Sequence, residues 1–342
     1  MIATPLEPEL VVRLRSVDDR LDVLFEPELL PPPRYPSDHR GAADFQRTPE
    51  QAERFAGLLA GAEVLYGIPG DDPSGLVQAV RSAPGLRFVQ ATAAGAGQQV
   101  RAAGLTPQEL QRVAIASASG VHAVPLAEWS ILGLLAFTKG LPRLRRDTAG
   151  RRWDHYPVDE LRGKTVLVVG VGAIGLEVAR LASAFGMRVL GVKRHADGEV
   201  PHVESVHPPE QLRELVGEAD AVVITLPLTD ETRGLVDRET IERMRDGAIV
   251  VNVGRGAVVD EDALVDALRT GKLAGAALDV FAEEPLPGTS PLWELENVIV
   301  SPHTAALSWH ENERIVELFA ENLRRYLRGD ELLSLVRATV FY

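Results

Sequence analysis

The stretch TVLVVGVGAIG, Thr165 to Gly175, constrains this chain more than any other. Its opening run of β-branched and apolar residues reads as a strand buried on both faces, as strands inside parallel sheets do. GVGAIG then turns the chain into a helix expected from about Ile174 to Phe185. In that setting Gly170 permits a tight turn and Gly172 lets the backbone approach a pyrophosphate lying on the helix N-terminus. Gly175 lets the helix press against the strand. Strand, turn and helix together are the fingerprint of a dinucleotide-binding fold. The same glycines without the strand would say little.

The end of the next strand, MRVLGV, is where such a fold tells one dinucleotide from another. A carboxylate there would accept a hydrogen bond from the adenosine ribose 2′-hydroxyl. Lys193, Arg194 and His195 stand there instead, and no carboxylate follows until Asp197. Two cations suit a 2′-phosphate, which arginine can grip through two parallel bonds. A 2′-hydroxyl would leave both cations facing each other without a counter-charge. NADP(H) is therefore the expected cofactor, with NAD(H) as the alternative.

A chain of 342 residues has room for two domains at roughly 100–200 residues each. In the first part, DVLF reads as a strand and the proline-rich Leu29 to Gly41 as a loop. A helix opened by Thr48 and Pro49 follows, then strand EVLYGI, helix SGLVQAVRSA and strand LRFVQAT. Strands alternating with helices argue for a parallel sheet. A long apolar helix from Leu126 leads into a second alternation, with strands at 221–226, 248–253, 274–280 and 297–301. The amphipathic tail ENERIVELFAENLRRYLRG has no local partner, so it is expected to return to the first domain. The result is a discontinuous outer domain, 1–124 and 304–342, around an inserted α/β domain, 125–303.

Composition removes several classes of function. With 36 basic against 49 acidic residues, the net charge of −13 has the wrong sign for a nucleic-acid partner. Zero cysteines exclude a disulfide framework, an iron–sulfur cluster and a thiol nucleophile, and no metal is expected. WSILGLLAFT is too short for a bilayer, which needs about 20 apolar residues. The opening MIATPLEPEL lacks the basic segment of a secretory signal. A cytoplasmic protein without a membrane partner is expected. Arg143, Arg145, Arg146, Arg151 and Arg152 read as a solvated or subunit-facing arm.

Three polar residues follow three successive strands of the second domain: Arg255 after AIVVNVG, Glu284 after AALDVFAE and His303 after NVIVSP. Each alone could be a surface charge or a capping group. Together they stand at the carboxyl edge, where open α/β sheets bind ligands. The blocks VVGVGAIG, VITLPLTDETRGLVD, VVNVGRGAVVDEDAL, AGAALDVFAEEPLP and VSPHTAA, in this order, carry a resemblance. From about residue 60 to about 330 the chain resembles the D-isomer-specific 2-hydroxyacid dehydrogenase family.

The resemblance implies an α/β fold of two domains, a Rossmann-type dinucleotide-binding domain inserted in a discontinuous flavodoxin-like substrate domain. It makes Arg255, Glu284 and His303 the catalytic residues of an NAD(P)-dependent oxidoreductase acting on a small 2-oxo or 2-hydroxy acid. The chemistry needs these types. A protonated imidazole can deliver a proton to the carbonyl oxygen as hydride arrives. A carboxylate beside the ring fixes its tautomer and favours the imidazolium. Arginine pairs with the substrate carboxylate and polarises the carbonyl without losing its charge.

The same resemblance extends the cofactor contacts to Gly170, Gly172, Ala173, Ile174, Gly175, Lys193, Arg194, Leu226, Pro227, Val253, Arg255, Asp279 and His303. Asp279 would meet the nicotinamide carboxamide. Substrate contacts fall on Ala94, Gly95, Arg255 and His303, although Gly97 stands where many relatives have aspartate. The helix and arm after Gly120 to Trp129 imply a homodimer, and Trp309 is a candidate lid. Glyoxylate, hydroxypyruvate or a similar 2-oxo acid is the favoured substrate class. Glu284 argues against the relatives that act on formate, which carry glutamine there. The stretch after His303 holds little more than one helix, which disfavours a phosphoglycerate dehydrogenase with an appended regulatory domain, and a short one stays as the alternative. Nucleotide-sensing corepressors share the fold and stand as the alternative from a different class.

Overall fold

In a computed structural model, which describes residues 1–195 and 198–337, the chain forms two compact units. One is discontinuous and joins Met1–His122 to the segment beginning at Leu307. The other, Ala123–Ala306, is inserted between them. The sequence puts these edges at 124/125 and 303/304. The difference arises because the apolar helix starts at Ala123 and because Thr304 and Ala305 are hydrogen-bonded to Asp279 of the inserted unit. Asp197 and residues 338–342, the end of the expected outer domain, lie outside the described residues.

The discontinuous unit is built on three short parallel strands, β1 Val64–Tyr66, β2 Phe88–Gln90 and β3 Ala114–Ala116, in that lateral order. Ile2 forms a parallel bridge to Tyr66, and its N–H donates to Leu24 O at 3.0 Å. These contacts lay the two N-terminal segments beside β1 without adding a strand to the three-stranded sheet. DVLF, expected as a strand, is extended chain rather than a ladder. Pro27, which has no N–H, begins a 3-10 turn directly after it.

Helices cover both faces of this sheet. Leu65, Val89 and Ile115 pack with Phe55, Leu59, Leu76 and Val80 on one side. Phe88 and Ala116 pack with Ile315, Val316, Phe319 and Leu323 on the other. Those last four are spaced by one, three and four residues on the C-terminal helix Glu311–Arg328, forming its apolar stripe. The amphipathic tail thus returns to the first part of the chain. Thr48 begins the helix Pro49–Ala60 with reciprocal bonds to Gln51, a capping box behind an N1 proline.

The inserted unit holds seven parallel strands: β4 Thr165–Val169, β5 Arg188–Val192, β6 Ser205–His207, β7 Ala221–Ile224, β8 Ala248–Asn252, β9 Leu273–Leu278 and β10 Val298–Val300. Their order is β10-β9-β8-β7-β4-β5-β6. Alternate residues of each strand serve opposite cores. Val166 and Val168 pack under the helices Ala123–Thr138 and Ala173–Ala184, and Leu167 and Val169 pack towards the helix Glu261–Arg269. This explains why β4 is apolar at every position after Thr165. β6 carries the half-buried sequence SVH, without the apolar run that would announce a strand.

No single helix among the described residues is long and apolar enough to cross a membrane. The arginine arm carries its own counter-charges: Arg143 and Arg152 meet Asp147 at 3.4 and 2.9 Å, and Arg146 meets Glu296 at 2.5 Å.

One polar network locks the C-terminal helix to the discontinuous unit's sheet. Asn322, fully buried, donates to Gln90 Oε1 at 2.9 Å and accepts from the Leu333 N–H at 2.7 Å. Replacing Asn322 by leucine orphans both groups, each at about 1–3 kcal/mol. Urea denaturation of Asn322→Leu should show a loss of about 2–4 kcal/mol. A loss below about 1 kcal/mol would mean that the network does not hold the helix.

Candidate active site

The dinucleotide fingerprint takes the expected shape. Gly170 ends β4 with φ of +106°, and a Cβ there would lie 2.8 Å from the Leu226 side chain. Gly175 is packed tighter, since its Cβ would fall 2.2 Å from Gly170 O. Gly172 differs from both. It caps the helix Ala173–Ala184, and a Cβ there would meet no protein atom within 4 Å. Two glycines thus close the turn and the third opens it to space in front of the helix. The first-turn N–H groups of Ala173, Ile174 and Gly175 have no intrahelical acceptor, so they can serve an anion. Thr225, after β7, donates from its hydroxyl to Gly170 O and steadies the turn.

The strand order reverses at β4, with β5 and β6 on one side and β7 to β10 on the other. Such switch points are where crevices open at the carboxyl edge. Leu226 and Pro227 follow β7, and Val253 follows β8. Val253 donates to Ile224 O at 3.0 Å, and a Cβ on Gly254 would strike Leu226 O at 2.5 Å. These two loops are therefore packed against each other beside the glycine turn.

Arg255, Glu284 and His303 come together at the same edge. Glu284 Oε2 accepts from His303 Nδ1 at 2.7 Å, while its Oε1 accepts from the Phe281 N–H at 3.0 Å. A carboxylate can only accept, so Nδ1 carries a hydrogen and Nε2 is left to exchange a proton. Arg255 is half-buried and donates from Nη1 to Gly254 O at 2.7 Å. Burial lowers its pKa from the ordinary value, and the Glu284 carboxylate opposes that shift.

His303 holds a left-handed backbone, φ +54°, which is uncommon for a residue with a side chain. Such a conformation costs on the order of 1–3 kcal/mol and needs support from around it. The support is Asp279, which is buried. Its Oδ1 accepts from Ser301 Oγ at 2.6 Å and from the Thr304 and Ala305 N–H groups at 2.9 Å each. Asp279 therefore holds the histidine turn in place. Asn252 does the same for Arg255: its amide accepts from Gly254 N–H at 3.0 Å and donates to Arg255 O at 3.1 Å. Sequence reasoning missed Asn252 and Ser301, whose signal is a polar residue at the carboxyl end of an apolar strand.

The cations after β5 require a correction. Lys193 is exposed, and its backbone N–H donates to His207 O at 3.0 Å. Arg194 is not without a counter-charge, because its Nη2 meets Glu231 Oε2 at 2.5 Å. The acid comes from the loop after β7, distant in sequence but separated from β5 in the sheet only by β4, so spacing along the chain could not reveal it.

Ala94 and Gly95 belong to the discontinuous unit. They follow β2, with Ala94 exposed and Gly95 capping the helix Ala96–Ala103. Trp309, also in that unit, is 81% exposed.

The geometry defines a parallel α/β protein with a dinucleotide turn beside an Arg–Glu–His constellation, and comparison with known proteins agrees. The model of the D-isomer specific 2-hydroxyacid dehydrogenase NAD binding domain matches residues 131–305. The chain belongs to the D-isomer specific 2-hydroxyacid dehydrogenase family. It is 44% identical over 181 residues to a glyoxylate reductase of Aeropyrum pernix, covering 53% of this chain and 54% of that protein. A D-3-phosphoglycerate dehydrogenase of Methanocaldococcus jannaschii is 36% identical over 220 residues, 64% of this chain and 42% of that one. The chain thus spans about half the length of the curated relatives it matches. Among solved structures, a D-isomer specific 2-hydroxyacid dehydrogenase from Xanthobacter autotrophicus Py2, crystallised with NADPH and MES, superposes with a TM-score of 0.75. Its sequence identity is 26%, over 100% of both chains.

The glycine turn makes a paired prediction. Gly175→Ala pushes a methyl into backbone and should cost about 1–3 kcal/mol, the usual penalty of overpacking. Gly172→Ala meets open space and should stay within about 0.5 kcal/mol of the parent. Thermal unfolding of the two variants side by side checks the contrast, and equal losses would contradict it.

Proposed function

We propose that this chain is an NAD(P)H-dependent reductase that reversibly converts a small 2-oxo acid, such as glyoxylate or hydroxypyruvate, to the D-2-hydroxy acid. The observation that carries the reading is the 2.7 Å bond between His303 and Glu284, beside Arg255 and on the sheet edge that bears GVGAIG. The inserted unit is the dinucleotide-binding domain and the discontinuous unit the substrate domain. The family and the glyoxylate reductase relative support this reading.

The residues fit a dinucleotide. The space in front of Gly172 admits a pyrophosphate against the N–H groups of Ala173, Ile174 and Gly175. Leu226, Pro227 and Val253 line the adjoining loops, and Asp279 Oδ2, with no hydrogen-bond partner among the described residues, remains for a carboxamide. When bound, the nicotinamide ring supplies hydride in reduction and accepts it in oxidation. His303 Nε2 delivers the proton to the carbonyl oxygen in reduction and removes it from the hydroxyl in oxidation. Glu284 holds the ring and balances the imidazolium charge. Arg255 pairs with the substrate carboxylate, and desolvation strengthens that pairing. In the discontinuous unit, Ala94 and Gly95 remain the substrate contacts that the family resemblance implies.

Lys193 and Arg194 favour NADP(H) over NAD(H), because a 2′-phosphate can form charge-assisted bonds with both. One net bond of about 1.4 kcal/mol corresponds to tenfold preference. Exposed Leu132, Leu144 and Trp153, on the long helix and the arm, fit a homodimer, which sedimentation velocity can test. A short phosphoglycerate dehydrogenase is the second reading, favoured by the Methanocaldococcus relative.

A panel of 2-oxo acids, assayed with NADPH and with NADH, decides among these. Turnover of glyoxylate or hydroxypyruvate with higher kcat/KM for NADPH is expected. Oxidation of 3-phosphoglycerate with no glyoxylate turnover would favour the second reading instead. His303→Ala should lower kcat by roughly 10²–10⁴ while nucleotide binding, followed by fluorescence, persists. Undiminished turnover in that variant, with chemistry rate-limiting, would remove His303 as the proton donor. Gly172→Ala, although stable, should weaken nucleotide binding.

A further inference from the structure

The ion pair between Arg194 and Glu231 spans the point at which the strand order reverses. β5 and β7 flank β4 on opposite sides, Arg194 follows β5, and Glu231 lies in the loop after β7. The two side chains close to 2.5 Å. Opposite charges from the two flanking strands therefore meet at the edge that also carries the glycine turn.

The acidic end rests on a firm loop. Thr229 N–H donates to Thr232 Oγ1 at 2.8 Å, Thr232 N–H donates back to Thr229 Oγ1 at 3.2 Å, and the Thr232 hydroxyl donates to Pro227 O at 2.6 Å. Glu231 stands inside this knot, so its backbone is placed before any ligand arrives. The pair itself is open to water, with the Arg194 side chain 55% exposed and that of Glu231 72%. An exposed pair of this kind shifts an equilibrium by at most about fivefold, weak enough for a stronger anion to break.

We propose that Glu231 is a specificity-determining residue that competes with the 2′-phosphate for Arg194. The proposal rests on Arg194 as a 2′-phosphate ligand, the reading given above. A phosphate dianion offers arginine two parallel charge-assisted bonds and displaces the single carboxylate contact. A 2′-hydroxyl cannot displace it, so NADH leaves Arg194 neutralised by Glu231. The carboxylate thus removes the charge imbalance that would otherwise disfavour NADH, and it subtracts from the affinity for NADPH. The preference for NADPH is smaller than Lys193 and Arg194 alone would set.

The test measures Kd for NADPH and for NADH by fluorescence titration of the full chain, in the parent, Glu231→Gln, Arg194→Gln and the double variant. Glu231→Gln should tighten NADPH binding about two- to fivefold and change NADH binding by less. The gain should vanish in the Arg194→Gln background and shrink at high salt, where exposed charges are screened. Equal tightening of both nucleotides would show a general charge effect and overturn the proposal. So would an unchanged NADPH affinity, or a gain that survives without Arg194. Arg194→Gln separates the two levels of inference. If it leaves the NADPH-to-NADH ratio untouched, the 2′-phosphate reading fails and Glu231's role with it. If it lowers the ratio while Glu231→Gln does nothing, the assignment of Glu231 alone is wrong.

Discussion

The inserted unit's site depends on one constraint: its seven strands run parallel. Parallel strands bring every carboxyl end to the same edge, so the residues after β4, β5, β7, β8, β9 and β10 share one rim although more than a hundred positions separate them. The reversal of strand order at β4 then opens a place on that rim where loops diverge. The glycine turn occupies that place. Arg255 and His303 each lie shortly after a strand on this rim and are held by a polar residue at or near a strand's end, Asn252 and Asp279.

Those polar neighbours set the geometry. Asn252 ties the Arg255 loop, Asp279 ties the His303 turn, and the Phe281 N–H fixes one oxygen of Glu284. The left-handed backbone of His303 would not persist without the bonds that converge on Asp279 Oδ1. A buried carboxylate accepting several N–H and O–H bonds is itself stabilised by them, so the clamp and the strain support each other. On the proposed reading, removing a neighbour would misplace a reacting group without altering its chemistry, and small displacements of reacting atoms are costly to rate.

Much of this was legible in the sequence because it rests on local patterns. β4 announced itself by an unbroken apolar run after Thr165, the turn by its three glycines, and the C-terminal helix by an apolar stripe with nothing nearby to cover it. Arg255, Glu284 and His303 were legible as polar residues just past apolar runs. What escaped was set by contacts between distant segments. β6 is too short and too polar to read as a strand, and DVLF has the residues of a strand but a proline ends it. Asn252 and Ser301 looked like ordinary strand ends because their partners, backbone groups for Asn252 and the Asp279 carboxylate for Ser301, are joined to them only by the fold. Glu231 was invisible for the plainest reason: 37 positions separate it from Arg194, and the sheet order that unites them is a property of the fold.

The two ends of the nucleotide rim handle charge differently, and the difference follows from water. At the histidine end, Arg255 is half-buried, so its charge interacts through protein more than an open surface charge does. The His303 and Glu284 side chains are 45% and 35% exposed and are held by their 2.7 Å bond and by the Phe281 N–H. Screening by salt reaches Arg255 less than it reaches open surface charges. At the Lys193–Arg194 end the groups are exposed and the counter-charge is another surface side chain. Ions in solution compete there with Glu231 and with any bound phosphate. On the proposed reading, raising ionic strength should therefore erode the choice between nucleotides before it erodes the pairing of Arg255 with a substrate carboxylate. A titration against salt of KM for the 2-oxo acid and of the NADPH-to-NADH ratio would display the two sensitivities separately. If both changed together, Arg255 would be as open to solvent as Lys193 and Arg194.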